Sequence, residues 1–359
     1  MMKLKEKLPK LPEMPELPRL PIGKKKELKK QVTTDTIEDH REEVLSKGRK
    51  FKYPFQYAKH KLVINTVIIG VVAMVLMVGF GWLQLYKFQS TSDILYRFTK
   101  VIPVAVARVD GEGVRFSDYL MIFRSSITPL ESQEGVLTVK GEDELIRLQY
   151  KRQALDSAIE FTHALRLARD LGVEVTREQI LEAEREHRTV DGAERSEESF
   201  ARIIRVNFGL SVSEYERLLL LSLTRREVAV RIDEAAATTA GEVEALLAGN
   251  GGDFAATAEA LGNRVYYEET GDLVSEMNLD GGRATAASGL EVGGWSGKFV
   301  SRNGDGYYFV KLLARSGTQV RYESLRVPFE EFARVIEQLR EEGKVREFIN
   351  IRKPDEGEE

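Results

Sequence analysis

The longest apolar stretch of the chain is Leu62–Tyr86, LVINTVIIGVVAMVLMVGFGWLQLY, which has 25 residues and no charged side chain. As an α-helix rising about 1.5 Å per residue it would be about 37 Å long, enough to cross a hydrocarbon core of about 30 Å. A buried core helix is the alternative, but Lys61 and Lys87 bound the stretch on its two sides. The stretch therefore predicts one transmembrane helix at residues 62–86, between a tail and a body.

The distribution of charge predicts on which side of the membrane each part lies. Residues 1–61 contain 17 Lys and Arg against 9 Asp and Glu, and the remaining residues contain 36 against 48. Loops rich in Lys and Arg stay in the cytoplasm. We therefore expect a single-pass protein of the cell membrane, with a cytoplasmic tail at residues 1–61 and an extracytoplasmic body. The acidic body also argues against nucleic acid as a partner.

The tail contains a proline at every third position, namely Pro9, Pro12, Pro15, Pro18 and Pro21. Three residues make one turn of polyproline II, so the repeat aligns proline, apolar and charged residues along separate edges. Two hypotheses stay open, a stiff solvated spacer and a rod that recruits a cytoplasmic partner. The adjacent cluster Lys24–Lys30 is expected to contact anionic lipid, and the tail is predicted to be disordered.

The first part of the body, residues 100–235, combines a hairpin with helices. Alternating apolar runs meet at Asp110-Gly111, a dipeptide typical of a two-residue turn. Glu142–Leu171 has apolar residues at three- and four-residue steps and is followed by Gly172, which predicts a long amphipathic helix. Ser196 and Gly209 are expected to bound another helix. Capping boxes are predicted at Thr176–Gln179, Ser213–Glu216 and, further along the chain, Thr239–Glu242.

This part resembles the N-terminal chaperone module of the SurA/PrsA/PpiD family. The resemblance rests on the order of four motifs: the Asp-Gly hairpin, the helix through Leu155, the link Gly172-Val-Glu-Val-Thr176 and the segment Gly209-Leu-Ser-Val-Ser-Glu-Tyr215. It implies a mostly helical module. It also implies that the partners are unfolded or newly exported polypeptides, held in an amphipathic groove.

The second part of the body, residues 239–350, mixes helices with strands, so the predicted fold class of the chain is α+β. Asp253 is expected to cap a helix at Phe254–Leu261. Strands are predicted at Trp295–Val300 and Tyr307–Leu313. Val320–Val327 is predicted to be a further strand of the same sheet and to lead into a last helix.

This second part resembles a parvulin-type peptidyl-prolyl isomerase domain. The resemblance rests on Asp253-Phe-Ala-Ala-Thr-Ala258, Gly271-Asp-Leu273, Leu290-Glu-Val-Gly-Gly-Trp-Ser296 and Gly306-Tyr-Tyr-Phe-Val-Lys-Leu312. It implies a degenerate isomerase pocket at Asp272, Leu273, Tyr308 and Ser324, because Tyr308 and Ser324 stand where the family has histidines. Whether the chain is an enzyme is left uncertain by this resemblance, and the missing histidines favour an inactive isomerase.

Residue types that would support other chemistry are scarce. The chain has no cysteine, which excludes thiol catalysis and Cys-ligated metals. Its glycine runs lack the lysine of a phosphate-binding loop. Asp280 and Asp305 lie in glycine-rich segments and are interpreted as turn residues. We therefore predict no catalytic residue, no cofactor and no metal.

Together, the apolar stretch and the two resemblances predict a membrane-anchored extracytoplasmic chaperone or foldase. Its expected partners are unfolded exported polypeptides and the lipid bilayer. One alternative is an active parvulin-type isomerase. A second is a structural envelope protein whose proline-rich tail recruits a partner.

Overall fold

The computed structural model describes residues 34–52, 54–131, 142–190 and 193–351. Two predicted features of the tail, the proline repeat at residues 9–21 and the cluster Lys24–Lys30, lie outside these described residues. The chain divides into two compact units between Leu76 and Met77. The second unit contains the whole body, and both candidate sites lie in it.

The described elements agree with the predicted α+β class. The helices are α1 (Thr34–Lys52), α2 (Pro54–Trp82), α3 (Asp93–Val101), α4 (Phe116–Glu131), α5 (Glu142–Leu171), α6 (Arg177–Arg188), α7 (Glu197–Phe208), α8 (Val212–Ile232), α9 (Glu234–Gly249), α10 (Phe254–Leu261), α11 (Arg283–Ser288) and α12 (Glu331–Glu341). The strands are β1 (Ala105–Val109), β2 (Glu112–Arg115), β3 (Thr189–Val190), β4 (Ala193–Glu194), β5 (Tyr266–Glu269), β6 (Val274–Ser275), β7 (Phe299–Val300), β8 (Gly306–Ser316), β9 (Gln319–Pro328) and β10 (Val345–Glu347).

The apolar stretch forms most of α2, which continues in a π-helical turn at Leu83–Lys87. The segment Lys61–Lys87 is long and apolar enough to cross a membrane. Its mean hydropathy reaches 2.6 in an 18-residue window, none of which is buried in the described structure.

The tail, predicted to be disordered, is helical from Thr34 where it is described. Its α1 segment is rich in Glu, Lys and Arg, which are good helix formers.

The first core of the body packs helices against a small sheet. Within the described residues this sheet has three strands, and β1 lies antiparallel between β2 and β10. The β1–β2 turn is made by Asp110 and Gly111, whose φ values of 47° and 88° are both positive, as this turn requires. Phe116, Tyr119 and Leu155 are among the largest fully buried side chains. The pairing of β1 with β2 confirms the predicted hairpin, and α5 confirms the predicted long helix.

The C-terminal end of the described chain returns to this first core. β10 pairs with β1, and Ile349 and Ile351 are buried in the same apolar cluster as the hairpin. Glu347 of β10 also accepts hydrogen bonds from Arg152 of α5, at 2.6 and 2.7 Å. The predicted second module, residues 239–350, therefore ends in a strand of the first sheet. The local pattern of Val345–Glu347 did not indicate this, because it has one apolar residue and its partner is set by tertiary packing.

The start of α8 differs from the prediction by two residues. The capping box is formed by Ser211 and Glu214 and not by Ser213 and Glu216. Both pairs have the required spacing, but the backbone is extended at Ser211 and already helical at Ser213. Glu216 instead pairs with Arg177 of α6.

Asp233 sets the start of α9 and also that of α12. One of its carboxylate oxygens accepts a hydrogen bond from the N–H of Ala236 at 2.9 Å. The other accepts from the N–H groups of Glu330 and Glu331 at 2.8 and 3.0 Å. The predicted capping box at Thr239 is wrong, because Thr239 lies inside α9. The nearer cap at Asp233 starts the helix earlier.

The second core is built around a sheet that has five strands among the described residues, in the order β5-β9-β8-β7 with β6 also paired to β9. The pairing of β9 with β8 confirms the predicted strand at residues 320–327. Helices α9 and α10 pack on one face of the sheet, and α11 packs on the other. The predicted strand at Trp295–Val300 is shorter, since only Phe299–Val300 is a strand and Trp295 forms an isolated bridge to Lys311.

Candidate functional site

A groove of about 540 Å³ lies between α6, α7 and α8, and we call it the helical groove. Its lining consists of apolar, acidic and basic side chains: Leu181, Phe200, Ala201, Val212, Glu184, Glu197, Glu216, Arg185 and Arg188. Phe200 is buried, whereas Leu181 is 40% exposed. The groove therefore presents apolar surface that is open to a ligand.

Local sequence signals fix the ends of the helices that form the groove. At the start of α6 the Thr176 hydroxyl accepts from the N–H of Gln179, whose side chain accepts from the N–H of Thr176. Ser196 caps α7, which ends at Gly209 with a φ of 64°. This left-handed conformation favours glycine. These predicted helix ends are confirmed.

One tyrosine of α8 connects the three helices. The ring of Tyr215 packs edge-on against Phe200 of α7, with ring centroids 5.8 Å apart. Its hydroxyl lies 2.8 Å from Nδ1 of His187 in α6. Burial lowers the pKa of His187, and the positive charge of Arg302 lowers it further. The imidazole is therefore neutral at pH 7, and this contact is a neutral hydrogen bond.

The charged residues near the groove form pairs but leave one donor unsatisfied. Arg177 donates to both carboxylate oxygens of Glu216, each at 2.8 Å. Arg188 pairs with Glu194 and lies 3.9 Å from Glu184. The buried Nε of Arg188 has no hydrogen-bond partner among the described residues. Burial raises the pKa of Glu184, and the neighbouring Glu216 raises it further.

This groove combines apolar and charged side chains. An extended polypeptide combines apolar side chains with backbone N–H and C=O groups that need partners. The lining of the groove includes the apolar side chain of Leu181 and the charged side chains of Arg188 and Glu184. Within the described residues, no group of three or more His, Cys, Asp or Glu side chains is arranged to hold a metal.

The four residues of the predicted isomerase pocket differ in burial. Tyr308 on β8 and Ser324 on β9 are buried, at 5% and 1% exposure. Asp272 and Leu273 lie in the exposed segment between β5 and β6. On the paired strands Tyr308 lies opposite Arg326, two positions along β9 from Ser324. The structure thus places Tyr308 and Ser324 on one face of the sheet, and the role of all four residues stays a prediction.

A network of polar side chains that the sequence analysis missed surrounds Tyr308. The Tyr308 hydroxyl donates to Asp305 at 2.9 Å, and the Ser301 hydroxyl donates to the other oxygen of this carboxylate. Arg326 lies 3.4 Å from Asp305, and the guanidinium of Arg283 lies 5.4 Å from the centroid of the Tyr308 ring. The interpretation of Asp305 as a turn residue was incomplete. The sequence did contain one signal for this contact, because Asp305 lies three residues before Tyr308 of β8.

A second tyrosine–aspartate pair lies on the same face of the sheet. The Tyr322 hydroxyl donates to Asp280 at 2.6 Å. The same carboxylate accepts from the N–H of Ala284 in α11 at 3.1 Å. Asp280, like Asp305, was interpreted only as a turn residue, but it also joins α11 to the sheet.

The protonation states of the first pair follow from its burial and its hydrogen bonds. Burial raises the pKa of Tyr308 to about 12, and the hydrogen bond to Asp305 contributes to this rise. Burial opposes the ionisation of Asp305, but the hydrogen bonds from Ser301 and Tyr308 outweigh it and lower the pKa of this carboxyl. At neutral pH the phenol keeps its proton and the carboxylate has none.

Comparison with known proteins identifies the helical part of the chain. Residues 55–229 match the family model described as the SurA-like N-terminal domain, a region that is slightly less than half of the chain. It includes nearly all of α2, the hairpin, α6, α7 and most of α8. The searches of curated proteins and of solved structures found no match. The match ends before the second sheet, so the parvulin resemblance stays a prediction. The match of residues 55–229 to the SurA-like N-terminal domain supports a chaperone-type role.

Proposed function

We propose that this protein is a membrane-anchored chaperone that binds unfolded, exported polypeptides outside the cytoplasm. The observation that carries the proposal is the SurA-like N-terminal domain at residues 55–229. This one region contains both the helical groove and the whole segment able to cross a membrane. The excess of Lys and Arg before that segment supports a cytoplasmic N-terminus.

The helical groove would hold a short extended segment of the client. Leu181 and Val212 supply apolar contact, while Arg188 and Glu184 supply polar partners for the client backbone. A cavity of this size is in the range that suits a drug-sized ligand, so it holds a few side chains at a time. The membrane anchor compensates for the small contact, because it raises the local concentration of the groove near chains that emerge at the same membrane.

An aggregation assay tests the proposal. The full chain in lipid nanodiscs is added while a denatured client is diluted into buffer, and light scattering is followed. We expect the wild type to slow aggregation and Leu181→Glu to lose most of this effect, because the new charge lies in the apolar lining. Val292→Glu is the matched control, since Val292 is 63% exposed and lies outside the groove.

Two results of this assay would contradict the proposal. Full protection by Leu181→Glu would show that the groove is not the binding surface. If the wild type gives no protection, the proposed chaperone function is wrong. That result would favour a structural role in the envelope, in which the proline-rich tail recruits a partner.

The second part of the body is proposed to lack prolyl isomerase activity. None of the four histidines lies beyond residue 187, and Tyr308 is engaged by Asp305. Isomerisation has a barrier of about 20 kcal/mol, of which a catalyst must remove about 1.4 kcal/mol for each factor of ten. NMR exchange on an Ala-Pro peptide with the full chain measures this. Acceleration of about a hundredfold, or about 2.7 kcal/mol, that Tyr308→Phe abolishes would reveal an active isomerase.

A further inference from the structure

Helix α3 has two apolar sides, and only one of them contacts the body. Tyr96 and Thr99 are buried, whereas Ile94 and Val101 are each 81% exposed. Ile94 and Val101 are seven residues apart, which is nearly two turns, so they lie on the same side of the helix. Ile102, directly after the helix, is 44% exposed. We call Ile94, Val101 and Ile102 the outer patch.

The inner side fixes the orientation of α3. The Tyr96 hydroxyl donates to Glu214 of α8 at 2.7 Å, and Lys100 pairs with the same carboxylate at 2.9 Å. The guanidinium of Arg124 in α4 lies 4.5 Å from the centroid of the Tyr96 ring. Rotating α3 to bury the outer patch against the body would break these contacts. The outer patch is therefore held facing away from the body.

The end of the apolar helix is part of the same rigid core as α3. Leu85, in the π-helical turn, is 2% exposed and belongs to the first apolar cluster. The Tyr86 hydroxyl donates to the carbonyl of Ala105 at 2.7 Å. Met77–Glu359 is one compact unit, and only residues 88–92 separate the π-helical turn from α3. The outer patch is thus held close to where the membrane-crossing segment ends.

We propose that the outer patch inserts into the lipid leaflet in which this segment ends, so that the body lies on the membrane surface. The inference rests on the proposed membrane anchoring. Arg97 lies beside the patch, is exposed, and forms no ion pair with any described residue. Interfacial helices combine apolar residues with such cations, which contact lipid phosphate groups. Phe88, 66% exposed between the span and α3, is an aromatic residue of the kind found at this depth.

A protein partner fits the outer patch less well than lipid does. A stable protein interface involves about 20 to 30 residues on each side. The patch has three residues and is continuous with a segment that already suits lipid. A second copy of the chain and an unfolded client are therefore the outcomes that the test must distinguish.

Single-cysteine labelling tests the insertion, because the chain contains no cysteine of its own. An environment-sensitive dye is attached to Ile94→Cys or Val101→Cys in the full chain, in nanodiscs of phosphatidylglycerol and phosphatidylethanolamine. We expect a blue-shifted emission and quenching by spin-labelled lipid at both positions. Leu279→Cys, at a residue that is 98% exposed, is the water control, and Met74→Cys within the apolar segment is the lipid control.

The controls separate failure of this inference from failure of the proposed function. Quenching at position 74, with positions 94 and 101 behaving like position 279, would overturn the insertion of α3 and leave the anchor intact. No quenching at position 74 would overturn both. If positions 94 and 101 become shielded only at raised protein concentration, the partner of the outer patch is a second copy of the chain and not lipid. If they become shielded only after a denatured client is added, the partner is the client.

The charge of Arg97 gives a second measurement. We expect Arg97→Glu to reduce quenching at position 94 in the anionic nanodiscs and to change it little in phosphatidylcholine nanodiscs. An unchanged signal in the anionic nanodiscs would contradict the role of Arg97 in contacting the headgroups.

Discussion

Asp233 is a single buried residue that caps two helices, α9 of the second core and α12, whose Phe332 and Ile336 pack against α5 and α8. Its side chain satisfies the N–H of Ala236 in α9 and those of Glu330 and Glu331 at the start of α12. Asp233→Ala leaves these groups without their partner. A lost cap costs about 1 kcal/mol and a buried unpaired group about 1 to 3 kcal/mol, so we expect the free energy of unfolding to fall by about 2 to 4 kcal/mol. Urea unfolding of the full chain in detergent micelles, followed by circular dichroism, measures this.

The matched control for Asp233 is Asp253, which caps a single helix. Its carboxylate accepts from the N–H of Ala256 at 2.9 Å, at the start of α10. Asp253→Ala should therefore cost about 1 kcal/mol. Equal losses for the two variants would contradict the double-cap role of Asp233.

His163 is a buried histidine whose two ring nitrogens have no hydrogen-bond partner among the described residues. Burial lowers its pKa from 6.5, the charge of Arg166 lowers it further, and Asp110 and Asp170 oppose this. The unfolded chain therefore binds the proton more readily than the folded chain. The stability should be complete above pH 6.5 and be lost as the pH falls from 6.5 towards the folded-state pKa.

The variant His163→Leu removes this titration and the unpaired nitrogens. We expect it to raise the free energy of unfolding at pH 7.5 by about 1 kcal/mol, since burying unsatisfied polar atoms is unfavourable. We also expect its advantage over the wild type to grow between pH 6.5 and 5. Unfolding curves for both proteins across this range measure the difference, and parallel pH profiles would refute the account.

Single residues in the sequence predicted a helix end correctly where the cap depends only on residues close by in the sequence. The caps at Thr176, Ser196 and Asp253 could be predicted because each depends on residues within one turn. Overlapping patterns at Ser211 and Ser213 were not resolved, since the choice depends on where the backbone becomes helical. The polar network around Asp305 required the register of two strands.

The element that the first core takes from the far end of the chain is β10. Two backbone hydrogen bonds next to β10 hold the two ends of β1. The N–H of Asp110 donates to the carbonyl of Lys344, and the N–H of Phe348 donates to the carbonyl of Val106. Deletion of residues 344–359 removes these bonds and the buried Ile349 and Ile351. Because a buried Ile contributes about 1.5 to 3 kcal/mol, we expect a loss of about 3 to 6 kcal/mol.

Hydrogen exchange in β1 measures the effect of this deletion directly. Amides of Ala105–Val109 should exchange much faster in the shortened chain. Deletion of residues 352–359 alone is the control, because it removes none of the described contacts. Unchanged protection of β1 after the longer deletion would show that β10 is dispensable.

At the level of elements, the sequence predicted what local periodicity determines. Helix α5 and the hairpin β1–β2 were predicted with nearly correct bounds, and β9 was assigned to the right sheet. The pairing of β10 with β1 was not predicted, because the strands are more than 200 residues apart and a three-residue strand has almost no pattern. Long-range pairing of this kind is set by the core and not by propensity.

At the scale of the whole molecule, the basic tail and the acidic body predict the topology. Protease added to intact cells should degrade the body and leave the tail, because the excess of Lys and Arg before the apolar segment predicts a cytoplasmic N-terminus. An antibody against each end, used on immunoblots, reads the result. Protection of residues 100–350 from the protease would contradict the extracytoplasmic placement.

From the sequence, the candidate groove could be predicted only as an apolar surface, without the residues that line it. The resemblance and the amphipathic helices indicated an apolar groove in residues 100–235, and the helix ends that form it were largely correct. Its lining was not predicted, because Leu181, Phe200 and Val212 meet only when three helices pack. The unsatisfied Nε of Arg188 is likewise visible only in the folded protein.

Photo-crosslinking of an unfolded client at the helical groove tests the central claim most directly. Since the chain has no cysteine, a benzophenone can be attached to Leu181→Cys alone, with Val292→Cys as the exposed control, in the full chain in nanodiscs. We predict that position 181 captures a denatured client several times more efficiently than position 292 and does not capture the same client when it is folded. Equal capture at the two positions, or equal capture of folded and denatured client at position 181, would contradict the claim that this groove binds unfolded polypeptides.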